Sequence, residues 1–490
     1  MDAMEAIEAG ARANIGEDRM VGHYWLRAPE LAPTPELAAT IADTVAEVQA
    51  FAEHVHQGRA GTPGTSFRHL VHIGIGGSAL VPQLASEALR SKDDALTVDF
   101  LDNSDPDAVT VLAERLDCEL DRTLVSVVSK CGFTPTPRYV HLAMERVFRD
   151  AGLDFARHAV ATTVPGSNLD ERASFERWLA TFPMWDWVGG RMSVTSAVGL
   201  LPLALQGVDI ASLLDGAAAM DRATRGRDPL ANPAALLALM WHWLGEGRGE
   251  KNMVVLPYRD RLQLLPRYIQ QLVMESIGKK FDRSGALVEQ GLTVYGNKGS
   301  TDQHAYLQQL RAGKNDFFVM FVRVQKDRGD SVLEIAPGVT LGDYLFGSSE
   351  GSRDALYERG RDSITITLPD CSPRSLGALI ALLERAVGLY AELIDVNAYD
   401  QPGVDKFVAD PAAQLQQALL AYLRTAGTPR TADEIAGALG RPEQAETVYK
   451  LLERLAGDPG RGIASAAGRC PFEAGFSFAP ACAAAELVAL

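Results

Sequence analysis
"HLVHIGIGGSALVPQLASEALRS", residues 69–91, reads as one strand, one glycine turn and one helix in succession. Its first residues are apolar and β-rich, Gly74, Gly76 and Gly77 follow, and an Ala/Leu-rich helical pattern opens at Ser78. The same alternation continues down the chain. "LTVDFLD" (96–102), "TLVSVVS" (123–129) and "ARHAVATT" (156–163) are short β-rich runs, separated by helical stretches such as "TPRYVHLAMERVFRD" (136–150). A second series follows in "KNMVVLP" (251–257), "LTVYGNKG" (292–299), "DFFVMFVRV" (316–324) and "DSITITL" (362–368). Strands alternating with helices predict parallel sheets flanked by helices. The expected layout is a mostly helical segment 1–64, two α/β domains at 65–245 and 246–410, and a mainly helical extension at 411–490.

The bulk properties narrow the function. The chain has 490 residues and a formal net charge of −16, which argues against a general binder of nucleic acid or anionic membrane. A local basic pocket for a small phosphorylated ligand remains compatible with it. Five cysteines at 118, 131, 371, 470 and 482 form no C-x-x-C pair, so neither a zinc site nor a disulfide framework is expected, and a reducing cytoplasm fits. The N-terminus lacks the pattern of a signal peptide. "SLGALIALLERAVGLYAELI" (375–394) is very apolar, but Glu384 and Arg385 at its centre mark a core helix, not a membrane span. Within the tail, "TADEIAGALGRPEQAETVYKLLERLAG" (431–457) has a helix-turn-helix pattern. From 411 on there are seven Lys/Arg against eight Asp/Glu, so the basic footprint of a DNA reader is missing and a structural or interface module is expected.

Glycines after a strand let a backbone approach a ligand closely, and the following helix start offers free N–H groups. Gly74, Gly76 and Ala79 also satisfy a dinucleotide pattern, with Asp99 and Asp102 near where a ribose-binding acid would stand, so a nicotinamide enzyme is a rival reading. The second loop weakens that rival. In "TLVSVVSKCGFTPTP" (123–137), Ser129, Lys130, Cys131, Gly132, Phe133 and Thr134 join a strand to a helix that Pro135 can start. Hydroxyls and backbone amides there suit a phosphate, although Ser129 and Thr134 could equally be helix caps.

In "QQLVMESIGKK" (270–280), Gln271 and Glu275 are four residues apart and share a helix face beside an apolar stripe of Leu265, Ile269, Leu272 and Val273. Partly shielded from water, such a carboxylate would have a raised pKa and could exchange a proton with carbon. In "GNKGSTDQHAYLQQL" (296–310), His304 stands where a helix is expected to begin. In "WDWVGGRMSVTSAVGLLPLAL" (185–205), Arg191 follows two glycines and suits a developing oxyanion.

Taken together, "GIGGSAL", "SKCGFTP", "VGGRMSVTSAVGLLP", "QLVMESIGKK", "GNKGSTDQHAYLQQLRAG" and "NAYDQPGV" resemble, in the same order, the glucose-6-phosphate isomerases of the sugar-isomerase (SIS) superfamily. The tail is similar to that of a bacterial branch. The resemblance implies two SIS domains and a cytoplasmic homodimer with shared sites, acting in glycolysis and gluconeogenesis on glucose 6-phosphate and fructose 6-phosphate. Neither metal nor cofactor is implied. Glu275 would move the proton between carbons 1 and 2, and Arg191 would stabilise the cis-enediolate. His304, from the partner subunit, and Lys406 would open the ring. Gln271 would hold substrate, Gly77 and Ser78 would touch the sugar, and Ser129, Lys130, Cys131, Thr134 and Gln401 would serve the phosphate. Three departures stand out: Cys131 for Ser or Thr, Thr136 for Glu, and Val408 where the family has lysine, with Lys406 two residues early. A sugar-phosphate-binding regulator without catalysis, and an isomerase also accepting mannose 6-phosphate, are the alternatives.

Overall fold
The computed structural model describes residues 1–62, 64–329, 333–403 and 411–479. The chain divides into two compact units, Met1–Gln401 and Pro402–Leu490. The first unit holds two parallel sheets. One comprises β1 (His69–Ile73), β2 (Thr97–Leu101), β3 (Thr123–Val128), β4 (Ala159–Thr163) and β5 (Ala180–Pro183), in the order β2-β1-β3-β4-β5. The other comprises β6 (Asn252–Pro257), β7 (Val294–Tyr295), β8 (Phe317–Val324) and β9 (Ser363–Leu368), in the order β9-β8-β6-β7. Every pairing within them is parallel.

The strand sequences explain this burial. Parallel strands covered on both faces read as continuous apolar runs, because side chains alternate between two cores. In β8, Phe318, Met320 and Val322 enter the central core, while Phe317, Val319 and Phe321 enter a separate core on the opposite face. In β3, Leu124 joins the same central core, and Val125 and Val127 face a third cluster. One apolar centre therefore serves the inner faces of both sheets.

The eight strands expected from the sequence are present. β5 is an addition to them, because "ATFP" is only four residues and shows no alternation. Residues 1–64 are less helical than expected. Helices occupy Asp2–Glu8 and Pro35–His56, and the stretch between them is turns and short 3-10 pieces. That stretch contains Tyr24, Trp25 and Leu26, all buried, so tertiary packing rather than helix propensity shapes it.

The helix Pro373–Leu393 runs through the core with Glu384 and Arg385 fully buried. Their charges are met from other elements. Arg27 contacts Glu384 and lies 3.4 Å from Asp221, while Arg385 contacts Glu8 and lies 3.2 Å from Asp221. Arg385 also stacks 4.2 Å from the Tyr24 ring centre. Burial pushes the Glu384 carboxyl up to about 7, against the pull of Arg27. Removing one member would leave a buried charge uncompensated, a loss of about 3–5 kcal/mol.

The second unit carries helices Pro411–Ala426, Ala432–Ala438 and Ala445–Ala456, then a hairpin of Ile463–Ala466 with Gly475–Phe478. Arg430 bridges to Phe476 as a third, single-residue strand. This is the element order of a winged helix-turn-helix. The helical pair matches the sequence expectation; the hairpin departs from it, because two four-residue strands are too short to display a period. The exposed side of the third helix alternates Glu446, Lys450, Glu453 and Arg454, which gives a phosphate backbone no uniform positive face.

His141 on the helix Pro135–Asp150 makes a pH prediction. Burial, then the Arg172 charge, pulls its imidazole down to about 4 from the ordinary 6.5. Between those values the unfolded chain takes up a proton that the native chain refuses, so stability falls as pH drops through that window, by about 3 kcal/mol for this residue. His141→Phe keeps a ring against Phe155 and Trp178. Urea midpoints at pH 7.5 and 4.5 should fall less in the variant than in the wild type, and groups such as Glu384 cancel in that comparison. Equal falls would refute it.

Candidate active site
In the first sheet β2 lies on one side of β1, and β3, β4 and β5 lie on the other. This reversal brings the loops after β1 and β3 to neighbouring positions at the carboxyl edge, where open α/β sheets bind ligands. The loop after β1 leads into the helix Gly77–Leu89, whose N-cap is Gly76 at φ +58°. A Cβ on Gly77 would stand 2.1 Å from the Gly190 carbonyl oxygen and 2.6 Å from the Arg191 nitrogen. Only glycine permits that approach, which seats the first glycine loop on the turn carrying Arg191. From β1, His72 donates through Nε2 to the Ser78 carbonyl at 2.8 Å. Burial pulls its imidazole down to about 4, so it is neutral at physiological pH.

The loop after β3 joins Val128 to the helix Pro135–Asp150. Gly132 N–H donates to Ser129 Oγ at 3.1 Å, and Thr163 donates to the Ser129 carbonyl at 2.7 Å, so the loop is tied to β4. Thr134 occupies the N-cap position, but its hydroxyl accepts no bond from the helix. Its Oγ1 lies 3.8 Å from Cys131 Sγ. The capping explanation therefore fails for Thr134, and its hydroxyl stands at a helix N-terminus with no cap to make. Cys131 is exposed. Lys130 reaches the Asp186 carbonyl at 3.4 Å, and burial, then Arg19, lowers its ammonium below the usual lysine range.

Arg191 lies in a 3-10 turn, Gly190–Met192, and is almost completely buried. Its guanidinium binds two segments, the helix that ends at Ile277 and residues 398–401. Nε donates to Ser276 Oγ at 2.7 Å, and Nη2 donates to the carbonyls of Ala398 (2.5 Å) and Asp400 (3.1 Å). Nη1 donates to Gln401 Oε1 at 3.2 Å and stands 3.6 Å from Glu275 Oε2. Burial lowers its pKa, and Glu275 and Asp400 oppose that effect.

Glu275 and Gln271 sit on the helix Leu265–Ile277, which Pro266 opens and whose other face carries Leu265, Ile269, Leu272 and Val273 into the core. Gln271 Nε2 donates to Glu275 Oε2 at 3.4 Å. The same nitrogen lies 3.2 Å from where a Gly76 Cβ would be. The glycine loop, amide, carboxylate, guanidinium and Gln401 thus meet at one place. The Glu275 side chain remains 31% exposed, enough for a substrate to reach it.

His304 does not join this group through any hydrogen bond or ion pair among the described residues. It ends a 3-10 turn, Thr301–His304, and is exposed; the helix begins later, at Leu307. The sequence placed it at a helix start, but buried Asp302, which accepts from Asn297 N–H at 2.9 Å, holds the preceding segment as a separate turn. Lys406 and Val408 lie outside the described residues. Among the described residues, no group of three or more His, Cys, Asp or Glu could hold a metal, and no helix is long and apolar enough to cross a membrane. A cavity of about 920 Å³, bordered by Arg261, Lys326, Leu341 and Cys371, contains none of the expected site residues.

Sequence reasoning missed three contributors. Ser276, which belongs to no motif of its own, accepts from Arg191. Lys279 and Asp400 likewise belong to no motif of their own, and they stand 3.3 Å apart beside Arg191. Nothing local separates Lys279 from Lys280, since the strand Lys279–Phe281 has only three residues and does not alternate: Lys279 is buried, and Lys280 and Phe281 are exposed.

Comparison with known proteins gives the family. Residues 1–334 match the family model described as phosphoglucose isomerase. The chain is 56% identical over 466 residues to a glucose-6-phosphate isomerase of Geobacter sulfurreducens, covering 94% of this chain and 88% of that protein. It is 52% identical over 480 residues to one of Geotalea daltonii, covering 97% and 91%. Among solved structures, a glucose-6-phosphate isomerase of Chlamydia trachomatis superposes with a TM-score of 0.77 at 26% identity, covering 93% of this chain and 86% of that one. A hypothetical protein of Thermus thermophilus superposes with a TM-score of 0.70 at 30% identity, covering 86% and 95%. The chain belongs to the phosphoglucose isomerase family, aldose–ketose isomerases that interconvert glucose 6-phosphate and fructose 6-phosphate.

Proposed function
We propose that Glu275 is the base that carries the proton between C2 and C1. The observation behind this is its carboxylate, which stays accessible 3.6 Å from a buried guanidinium that has no other carboxylate within ion-pair distance among the described residues. With the open-chain aldose bound, Glu275 takes the C2 proton, and the electron pair moves through C2–C1 onto O1 to give the cis-enediolate. Arg191 offsets the negative charge on its oxygens. Glu275 then returns the proton to C1, the O2 proton passes to O1, and the C2 ketone remains. Gln271 holds the substrate beside the carboxylate, and Gly77 and Ser78 border the sugar.

The loop Ser129–Thr134 and Gln401 take the phosphate, which orients the two reacting carbons. With Cys131 in the loop, hydroxyl donation falls to Ser129 and Thr134, because a thiol is a weak donor. The uncapping Thr134 hydroxyl supports this reading.

Ring opening is assigned to His304 of a second copy, in a homodimer acting in the cytoplasm. Support comes from the exposed His304 and from an exposed apolar face of Leu236, Leu239 and Trp243 on the helix Pro233–Leu244, of which Trp243 is 80% exposed. Lys406 is the candidate for the family's lysine.

Three outcomes are expected. Glu275→Gln should lower kcat by roughly a thousandfold or more, with KM for glucose 6-phosphate little changed, in an assay coupled to fructose 6-phosphate removal; near-normal turnover would dismiss Glu275 as base. Thr134→Ala should raise KM about tenfold with a smaller effect on kcat, as loss of one charged-group hydrogen bond implies; an unchanged KM would remove the hydroxyl from phosphate binding. Mixing inactive Glu275→Gln with inactive His304→Ala, after dissociation and reassembly, should restore about a quarter of wild-type activity, because half the dimers then hold one intact shared site. No recovery in mixed dimers would place His304 and Glu275 of one site on the same chain.

A further inference from the structure
The helix that carries Glu275 ends at Ile277, and the chain turns at Gly278 into the short strand Lys279–Phe281. The Glu275 carbonyl is therefore one of the helix's orphan acceptors, with no following backbone N–H to fill it. Lys279 fills it from the side chain: Nζ donates to the Glu275 carbonyl at 2.8 Å. The same ammonium donates to the Asp400 carbonyl at 2.9 Å and stands 3.3 Å from Asp400 Oδ1. Its side chain is only 7% exposed. Lys279 and Arg191 thus share one carbonyl, that of Asp400, from opposite elements.

We infer that Lys279 is a positioning residue that fixes the Glu275 end of its helix and keeps the Asp400 carboxylate away from Arg191. The inference rests on Glu275 being the base and Arg191 its electrostatic partner. Asp400 is the carboxylate nearest in sequence to the carbonyls that Arg191 binds, and its charge already acts on the guanidinium. Without an ammonium beside it, the Asp400 carboxylate turns toward the remaining buried cation. Arg191 is then neutralised by a fixed acid and has less charge to give an enediolate. Glu275 simultaneously loses the anchor on its own backbone carbonyl.

The groups that face Lys279 are Glu275 on its own helix, Asp400 on the Ala398–Gln401 segment and Arg191 on the glycine turn. Burial, then the Arg191 charge, pulls the Lys279 ammonium down to about 8. It is charged below that pH and neutral above it, so its ionic hold on Asp400 is lost as pH rises through about 8. An arginine at this position would stay charged across the range.

The test uses the full-length protein, with Lys279→Met and Lys279→Arg compared by steady-state kinetics from about pH 6.5 to 9.5. Lys279→Met should lower kcat at pH 7.5 at least about fivefold with KM changed less than about threefold, because Lys279 has no contact with the loop Ser129–Thr134 and Arg191 still holds the Gln401 side chain. Lys279→Arg should recover most of that loss and move the alkaline limb of kcat upward by about one pH unit or more. A methionine variant with kcat within fivefold of wild type overturns the proposal, as does an arginine variant whose alkaline limb stays at the wild-type position. Should Lys279→Met fail to fold by circular dichroism, the limb of Lys279→Arg alone decides. Glu275→Gln run in parallel separates the two ideas: an active Glu275→Gln removes the base assignment, whereas an inactive one beside an unaffected Lys279→Met removes only Lys279.

Discussion
A guanidinium buried away from water is tolerable only when its donors are met, and Arg191 meets them with Ser276, Ala398, Asp400 and Gln401. Those partners belong to a helix of the second α/β layer and to the segment at the end of the first unit. Arg191 itself hangs from the glycine turn beside the first sheet. One side chain therefore fixes the mutual geometry of three chain segments, and Glu275 is held at 3.6 Å as a consequence. The protein keeps a strong positive charge at a fixed point in low dielectric, which is what the proposed mechanism asks of a group facing a developing oxyanion.

The sheets make this possible by stiffness. Their central strands, β1, β3, β4, β6 and β8, are buried on both faces and share one central core, so their carboxyl edges are rigid supports for loops. The second buried ionic group, Arg27, Asp221, Glu384, Arg385 and Glu8, does a related task deeper in the unit. It ties the N-terminal segment to the helices Ile210–Thr224 and Pro373–Leu393 through directional contacts that an apolar interface would leave free to slide.

The loop after β3 has Cys131 where the family resemblance leads to a hydroxyl, and Ser129 Oγ closes that loop by accepting from Gly132 N–H. The side chain at 131 takes no part in that closure, so in the proposed phosphate site it bears on donors and not on the closing bond. At the opposite end of the site, the shared work of Lys279 and Arg191 on Asp400 joins the helix of Glu275 to the segment that delivers Gln401.

Much was legible in the primary structure. The strand–glycine–helix units followed from local periodicity and turn chemistry, and these depend on residues close together in the chain. Gln271 and Glu275 could be paired because helical spacing alone puts them on one face. The meeting of Arg191 with residues 85 and 207–210 positions away could not be read, because long-range contacts are set by how sheets and helices pack. The same holds for Glu384 and Arg385, which read as interruptions of an apolar helix and became buried ion partners. The sequence by itself determined which elements form and which side chains are chemically able. Tertiary packing decided which charges lose their water, and hence which of Lys279, Lys280, Arg191 and Glu275 act together, since desolvation is a property of the assembled core and not of any local stretch.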